Sequence, residues 1–259
     1  MTTTPTTPTT MRLTGVGVGP GDPELVTVKG VNALRAAAVV VVPVMAAADG
    51  EPMAEPGRAE ATVRHYVDRS RIVRLVFALN ERTDRSRREA AWDAAGARVA
   101  ELLRTHGTVA FATIGDPNVY STFTYLAETV TALLGAEPVE VATVPGITAM
   151  QDLAARSGAV LTEGTEPLTL VPVTAGSAVL KEALEGPGTV VAYKFGRLAE
   201  EVATALRETG RTEGAVWGSS LGLPEESIRP AAELTDGPLP YLSTLIAPAR
   251  RDGGRGGKL

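Results

Sequence analysis

The stretch Gly15-Val-Gly-Val-Gly-Pro-Gly-Asp-Pro-Glu-Leu25 decides the fold, because it ends one predicted strand, Met11–Val18, in a glycine turn. Thr27 follows the turn and is expected to cap a helix that presents apolar side chains on one face. The next run, Val39–Val44, is rich in β-branched residues, which is typical of a strand covered on both faces. A strand, a glycine turn, a helix and a buried strand in this order predict an α/β fold.

The same alternation continues along the chain and extends the predicted sheet. Further predicted strands are Arg71–Phe77, Thr108–Ile114 and Val139–Val144. The predicted helices between them are Glu60–Asp68, Arg85–Thr105 and Ser121–Leu134. This β-α repetition predicts an N-terminal domain with a mostly parallel sheet and helices on both faces.

Beyond Pro145 the pattern is less regular and predicts a second α/β domain with a mixed sheet. Its predicted strands are Leu168–Val173, Thr189–Tyr193, Gly214–Gly218 and Tyr241–Ala247, and its predicted helices are Ile147–Ser157 and Leu198–Thr209. The Thr- and Pro-rich start and the Gly- and Arg-rich end have no apolar periodicity and are expected to be loose. The expected organisation is a disordered tail at 1–10, domains at 11–144 and 145–249, and a flexible tail at 250–259.

Composition restricts the function classes. The chain has no cysteine and two histidines, so it offers no disulfide, no thiolate zinc site and little material for a histidine metal cluster. No apolar run is long enough for a membrane span, and no secretion signal is visible, so we expect a cytoplasmic, metal-independent protein. The net charge of −5 argues against nucleic-acid binding. Residues 64–88 nevertheless carry eight arginines and three acids, which fits either a solvated surface or a platform for a polyanionic ligand.

Three turns rich in glycine or proline follow three predicted strands at their carboxyl ends. They are Gly15–Asp22, Gly115-Asp116-Pro117 and Pro145-Gly146-Ile147. Ligands of parallel α/β sheets bind beside such strand ends, and glycines there allow close approach of the backbone, so the three turns predict a pocket. The first turn has Pro20 and Asp22 where a dinucleotide fingerprint needs glycine, and the chain has neither a P-loop lysine motif nor a nucleophile elbow.

Four segments resemble the motifs of the tetrapyrrole (corrin/porphyrin) methylase family. They are Gly17–Gly30, Ala112–Leu126, Val144–Gln151 and Val190–Arg197. The Tyr120-Ser-Thr-Phe123 continuation of the second segment is similar to the branch that methylates C-20 of precorrin-2. The resemblance implies a two-domain α/β fold with an active-site cleft between the domains, a homodimer, and S-adenosyl-L-methionine as methyl donor with S-adenosyl-L-homocysteine as product. The implied reaction converts precorrin-2, or its cobalt form, to precorrin-3A in cobalamin biosynthesis.

Carried over position by position, the resemblance also implies the site residues. Those implied in cofactor binding are Pro20, Ile114, Gly115, Asp116, Val119, Ser121, Thr122, Thr148, Ala149, Tyr193, Lys194, Ser243 and Thr244, with Trp217–Gly222 as a weaker candidate. Asp116 and Tyr120 are the candidates for a base that removes the C-20 proton; alternatively Asp116 caps a turn and Tyr120 packs.

The acceptor is a polycarboxylate, so it should meet cationic side chains. The residues expected at the tetrapyrrole are Gly19, Asp22, Arg74, Arg85, Arg87 and Arg88. Two alternatives stay open: another precorrin or uroporphyrinogen methylase of the same family, and a non-catalytic nucleotide-binding module that uses the same crevice.

Overall fold

The computed structural model describes residues 10–47, 51–77, 85–234 and 237–251, without the side chains of Arg87 and Ala175. The chain divides after Thr148 into two compact units, each with one five-stranded sheet. The sequence pattern places this division slightly earlier, after Val144. No described helix is long and apolar enough to cross a membrane.

The first unit has a wholly parallel sheet. Its strands are β1 (Met11–Gly17), β2 (Val39–Val44), β3 (Ile72–Val76), β4 (Thr108–Thr113) and β5 (Val139–Val144), and its helices are α1 (Val28–Ala36), α2 (Arg58–Val63), α3 (Arg85–His106) and α4 (Phe123–Leu134). The strand order is β3-β2-β4-β1-β5, and every neighbouring pair is parallel. The predicted parallel sheet is confirmed.

Both faces of this sheet are buried, as the valine run of β2 predicts. Val39 and Val41 pack in the cluster that includes apolar residues of α3 and α4. Val40 and Val42 point to the opposite face and pack with Leu34 of α1 and with residues of α2. Because successive side chains of a strand point to opposite faces, only a run apolar at every position can sit between two helical layers.

The start of α1 follows from local chemistry. The hydroxyl of Thr27 accepts a hydrogen bond from the backbone N–H of Gly30 at 3.0 Å, so it caps the helix as predicted. Asp22 caps the short 3₁₀ turn Pro23–Leu25 by accepting from the backbone N–H of Glu24 at 2.9 Å. These two caps fix the direction in which the chain leaves the first glycine turn.

The second unit has the mixed sheet that the sequence predicts. Its elements are α5 (Ala149–Ser157), β6 (Leu168–Pro172), α6 (Ser177–Glu185), β7 (Thr189–Tyr193), α7 (Ala199–Glu208), β8 (Val216–Ser219), β9 (Ser227–Pro230) and β10 (Ser243–Ala247). The order is β6-β7-β10-β8-β9, with β6 and β7 parallel and the other neighbours antiparallel. The sequence interpretation missed α6 and β9. A four-residue edge strand such as β9 is too short to show a clear alternation.

The predicted loose end from Arg250 is wrong for its first two residues. Arg251 forms an ion pair with the buried carboxylate of Glu166, with Nη2 and Oε2 2.7 Å apart. Arg250 donates a hydrogen bond to the backbone carbonyl of Thr209. A buried carboxylate needs a partner, so Glu166 anchors the chain where composition alone suggests a tail. Residues 252–259, and the predicted N-terminal tail apart from Thr10, lie outside the described residues.

Candidate cofactor site at the carboxyl edge of the first sheet

The three predicted turns come together because their strands are neighbours. The strands β4, β1 and β5 are adjacent and parallel, so the segments that follow them leave the same edge of the sheet. The backbone N–H of Val18 donates to the carbonyl of Thr113 at 2.9 Å, and that of Gly115 donates to the carbonyl of Gly19 at 2.8 Å. The first and second turns are therefore bonded to each other beyond the strands.

Two of the glycines serve the packing of the turns against each other. A Cβ on Gly146 would lie 2.1 Å from the carbonyl oxygen of Gly115 and 2.7 Å from the Cα of Gly17. A Cβ on Gly17 would lie 2.5 Å from the same oxygen. The sequence argument assigns such glycines to close approach of a ligand. In the structure, Gly17 and Gly146 instead allow the backbone segments of the three turns to contact each other closely.

Gly115 is different, because its own environment leaves space. Its φ of +70° is a conformation that residues with a side chain rarely adopt, and a Cβ there would meet just one atom within range, the Cα of Thr148 at 4.0 Å. Gly19 also has a positive φ, of +76°. At the junction of the three turns, Gly115 thus has a Cα side that is open to a ligand.

Asp116 holds two of the turns together. Its Oδ1 accepts from the backbone N–H of Asn118 at 2.8 Å, and its Oδ2 accepts from the backbone N–H of Gly146 at 3.0 Å. Both oxygens therefore accept from backbone donors within this junction. This arrangement supports the turn-capping alternative, in which the Asp116 carboxylate holds the loops together.

Tyr120 has an unusual backbone and an exposed ring. Its φ of +50° lies in the left-handed region, and the residue is 43% exposed. Partial burial raises the pKa of the Tyr120 phenol above its ordinary value. A raised pKa keeps the phenol protonated at neutral pH. Tyr120 is then suited to donating a hydrogen bond and unsuited to acting as a base.

The hydroxyls expected beside the cofactor have internal partners. The Ser121 Oγ lies 3.0 Å from the Thr113 Oγ1 and accepts from the backbone N–H of Phe123 at 3.2 Å. Ser121 thereby ties the start of α4 to the end of β4. Thr122 is the residue immediately before α4, and its side chain makes no capping hydrogen bond to the helix. Pro20 and Thr148 are buried, whereas Ile114, Val119 and Ala149 are half-buried.

The candidates of the second unit gather at one edge of its own sheet. Thr244 of β10 is the register partner of both Tyr193 and Gly218, and Ser243 is the partner of Ser219. The Tyr193 hydroxyl accepts from the backbone N–H of Met150 at 3.2 Å, which ties β7 to the start of α5. The pairing brings Tyr193, Lys194, Ser243 and Thr244 to the same edge as Trp217–Gly222.

Backbone strain marks this second edge. Lys194 and Ser220 have φ values of +60° and +51°, and the backbone N–H of Lys194 donates to the carbonyl of Ser243 at 3.2 Å. Residues other than glycine adopt this conformation at a cost, and such outliers concentrate at functional sites. The strain at Lys194 and Ser220 therefore makes the edge a candidate site, on grounds independent of any motif.

The arginines of the segment 64–88 are less available to a polyanionic ligand than the composition of the segment suggests. Arg74 pairs with the buried Glu60, with Nε and Oε2 2.9 Å apart, and also donates to the carbonyls of Met53 and Glu55 at 2.5 and 2.7 Å. A buried carboxylate holds this guanidinium, which supports a structural role for Arg74 and makes it less available to a substrate. Arg85 forms an exposed ion pair with Glu89 at 2.8 Å. The Arg88 side chain is half-buried, and that of Arg87 lies outside the described side chains.

The sequence interpretation missed the residues that hold the first turn from below. The hydroxyls of Thr62 and Tyr66, on and just after α2, donate to the carbonyls of Gly21 and Pro23. No sequence signal could have found these contacts, because the partners lie some forty residues apart and meet by packing. Among the described residues, no group of histidine and acidic side chains could hold a metal ion.

The junction of three glycine turns on a parallel sheet, followed by a mixed-sheet unit, defines the class of the protein. The model of the tetrapyrrole (corrin/porphyrin) methylase family matches residues 12–235, and the chain belongs to this family of methyltransferases.

Two relatives of this chain have names that specify a reaction. A precorrin-2 C(20)-methyltransferase of Sinorhizobium sp. is 32% identical over 93% of this chain and 96% of its own. A cobalt-precorrin-2 C(20)-methyltransferase of Salmonella typhimurium is 28% identical over 91% of this chain and 95% of its own.

The fold also matches solved structures. A uroporphyrin-III C-methyltransferase of Thermus thermophilus, complexed with S-adenosylhomocysteine, superposes with a TM-score of 0.60. That alignment covers 91% of this chain and 97% of the other at 22% identity. At this identity the likeness confirms the fold, and the function of this chain has to be argued from its own residues.

Proposed function

We propose that this protein transfers a methyl group from S-adenosyl-L-methionine to C-20 of precorrin-2 or of its cobalt form, in cobalamin biosynthesis. The observation that carries the proposal is the match, over nearly the whole chain, to a relative named for C-20 methylation of precorrin-2. The junction of the three motif turns, with the open side of Gly115, supports the same proposal by offering a place for a cofactor.

The cofactor contacts follow from the family resemblance and from the geometry of the turns. Backbone and small side chains at Pro20, Ile114, Gly115, Val119 and Thr148 form the part of the site in the first unit. Gly115 fits the role best, because its positive φ and vacant Cα side leave room where a Cβ would otherwise lie. Asp116 contributes by holding the second and third turns together.

The remaining cofactor contacts are proposed by resemblance at the edge of the second sheet. These residues are Ala149, Tyr193, Lys194, Ser243 and Thr244. Tyr193 and Thr244 are neighbours in the register of β7 and β10, and Lys194 carries the strained backbone that such sites often use. Ser121 and Thr122 are proposed to act mainly through the start of α4, since the Ser121 hydroxyl already has two partners.

The reaction requires the protein mainly to position the methyl donor and the acceptor carbon. When bound, the cofactor supplies a methyl group already activated on a sulfonium sulfur. The C-20 carbon of the reduced tetrapyrrole forms the new C–C bond, the C–S bond breaks with its electron pair on sulfur, and C-20 loses one proton. The rate gain then comes from holding acceptor carbon and methyl in line. Tyr120, protonated, is proposed to donate a hydrogen bond at this site; solvent takes the proton.

The polycarboxylate acceptor is proposed to meet Gly19 and Asp22 of the first turn and the cationic start of α3. With Arg74 assigned to Glu60, the candidates are Arg85, Arg87 and Arg88. Replacing Arg87 and Arg88 together with Ala should raise the KM for the tetrapyrrole several-fold and leave the Kd for S-adenosylhomocysteine unchanged. The matched control is Arg98→Ala on the same helix, whose exposed pair with Glu101 should contribute little to any of these constants.

The proposed function is tested by incubating the purified protein with S-adenosyl-L-methionine and either precorrin-2 or its cobalt form. Mass spectrometry should show a gain of one CH2, and NMR should place the new methyl at C-20. Methylation of uroporphyrinogen III, or at another ring position, would assign the chain to a different member reaction of the family. Cofactor binding without any methyl transfer would favour the non-catalytic alternative.

Two further parts of the proposal are a homodimer, which comes from the resemblance alone, and a cytoplasmic location, which comes from the composition. Light scattering of the purified protein should give twice the monomer mass. A monomer mass at micromolar concentration would remove the dimer from the proposal and leave the methyl-transfer reaction to be judged on its own.

A further inference from the structure

Helix α2 and the residues after it contact the first turn through two hydroxyl groups. Tyr66 donates to the backbone carbonyl of Pro23, with the two oxygens 2.5 Å apart. Thr62, which is almost fully buried, has its Oγ1 3.3 Å from the carbonyl of Gly21 and equally far from that of Arg58 in its own helix. The two contacts flank Asp22, so they reach the turn on both sides of its most polar residue.

The Gly19–Leu25 segment has bonds of two kinds besides those from Thr62 and Tyr66. At its start, the carbonyl of Gly19 accepts from the backbone N–H of Gly115 in the second turn. Within the 3₁₀ turn, bonds run from Leu25 N–H to the Asp22 carbonyl, from Val26 N–H to the Pro23 carbonyl, and from Glu24 N–H to the Asp22 carboxylate, and these three shape the turn. The contacts from Thr62 and Tyr66 connect the same segment to a helix packed on the sheet.

That helix is itself firmly anchored. Glu60 is 2% exposed and forms ion pairs with Arg64 of the next turn and with Arg74 of β3. Val63 packs in the same apolar cluster as Val40 and Val42 of β2. A buried carboxylate with two guanidinium partners resists displacement, because moving it would leave a charge unpaired in the interior. A hydrogen bond from this helix to the turn therefore fixes the position of the turn relative to the sheet.

We propose that Tyr66 and Thr62 are positioning residues that set the height of the Gly19–Leu25 segment and thereby the affinity of the site for its ligands. The inference deepens the proposed function and rests on it for the identity of the ligand. Tyr66 carries the larger share, because its hydroxyl donates to the carbonyl of Pro23, whereas the Thr62 hydroxyl divides its proton between two carbonyls.

The variants that test this inference remove one hydroxyl and keep the shape. Tyr66→Phe should raise the Kd for S-adenosylhomocysteine, measured by calorimetry, by about three- to tenfold, the effect of one neutral hydrogen bond. Thr62→Val should raise it by about two- to threefold, and Thr62→Ser, which restores the hydroxyl, should return it to the wild-type value. The KM for the tetrapyrrole should rise in parallel, with kcat changed less than KM.

The controls lose equivalent hydroxyls elsewhere in the same unit. Tyr125→Phe keeps the ring stacked on Trp92, and Thr131→Val removes a bond to the carbonyl of Ala127 within α4. Both should leave the Kd and KM unchanged. If Tyr66→Phe lowers the melting temperature while the folded protein binds with the wild-type Kd, the residue is merely structural and the inference is wrong. A double variant that binds like the wild type would overturn it equally.

A second measurement does not depend on the ligand. In the free protein, hydrogen exchange of the amides of Glu24, Leu25 and Val26 should be about three- to tenfold faster in Tyr66→Phe than in the wild type. Unchanged exchange would overturn the inference whatever happens to the Kd. If the wild type binds no S-adenosylhomocysteine at all, the proposed function fails, and faster exchange in the variant would still support the positioning of the turn.

Discussion

Replacing Gly146 with Ala tests whether the junction of the three turns is the core of the site. The added Cβ would lie 2.1 Å from the carbonyl oxygen of Gly115, whereas ordinary contact begins at 3.4 Å. The third turn must therefore move away from the second by more than about 1 Å. The Cα of Gly17 stands 2.7 Å from the same Cβ, so the turn cannot escape toward the first loop without a further clash.

The expected losses of stability and of catalytic rate both follow from this displacement. Overpacking of this kind costs about 1–3 kcal/mol in the free energy of unfolding. The same movement lengthens the bond from the Gly146 N–H to the Asp116 Oδ2, now 3.0 Å, and shifts the open side of Gly115. Because a displacement of about 1 Å in a reacting site can cost about a hundredfold in rate, we expect kcat/KM to fall by up to about that factor.

The assay combines calorimetric binding of S-adenosylhomocysteine, methyl transfer followed by mass spectrometry, and thermal unfolding. The matched control is Gly237→Ala. The φ of Gly237 lies outside the left-handed region, and a Cβ there would meet no atom within 4 Å. The control should bind and react as the wild type does. Wild-type binding and turnover by Gly146→Ala would refute the reasoning, because a cofactor site at this junction could not tolerate such a shift.

Three further predictions concern single side chains. Asp116→Asn removes one acceptor of the two that hold the turns, so the Kd for S-adenosylhomocysteine should rise by about three- to tenfold, while kcat changes less; a fall in kcat of about a hundredfold or more with an unchanged Kd would instead make Asp116 the proton acceptor. Because burial raises the pKa of the Tyr120 phenol, its proton is retained across the neutral range and is lost only at high pH. Tyr120→Phe should therefore keep the shape of the pH–rate profile between about pH 6 and about pH 9, and loss of an inflection in that range would contradict this reasoning. Arg211 is 3% exposed and donates to five backbone carbonyls, those of Leu184, Gly186, Gly188, Ala247 and Pro248. Arg211→Met should lower the free energy of unfolding by about 3–5 kcal/mol in urea titrations, compared with less than about 1 kcal/mol for Arg229→Met, whose ion pair with Glu233 is exposed.

The sequence predicted the layers of the fold because their signals are local. The valines of β2 show in six residues that both faces of the strand are buried, and Thr27 shows where α1 begins. The positions of the three turns at strand ends were also visible, because glycine and proline mark turns wherever they occur. A parallel sheet then brings such turns to one edge, so the location of the candidate site could be predicted before any coordinates.

The roles of individual side chains could not be predicted in the same way. The sequence left open whether Asp116 caps a turn or acts as a base, and the hydrogen bond from Gly146 to its second oxygen, which supports the cap, is visible only in the structure. Arg74 looked like its neighbours in an arginine-rich segment until Glu60 was seen beside it, fourteen residues earlier in the chain. In both cases the deciding partner is distant in sequence, and its distance in space is fixed by packing.

The sequence by itself therefore determined the strand and helix order apart from α6 and β9, the cap of α1 by Thr27, and the family to which the turns belong. The tertiary structure decided why Gly17 and Gly146 must be glycine, which arginines are committed to internal carboxylates, and that Thr62 and Tyr66 hold the first turn. The physical reason is that periodicity and turn chemistry act over a few neighbouring residues, whereas hydrogen bonds and ion pairs between elements exist only after those elements pack.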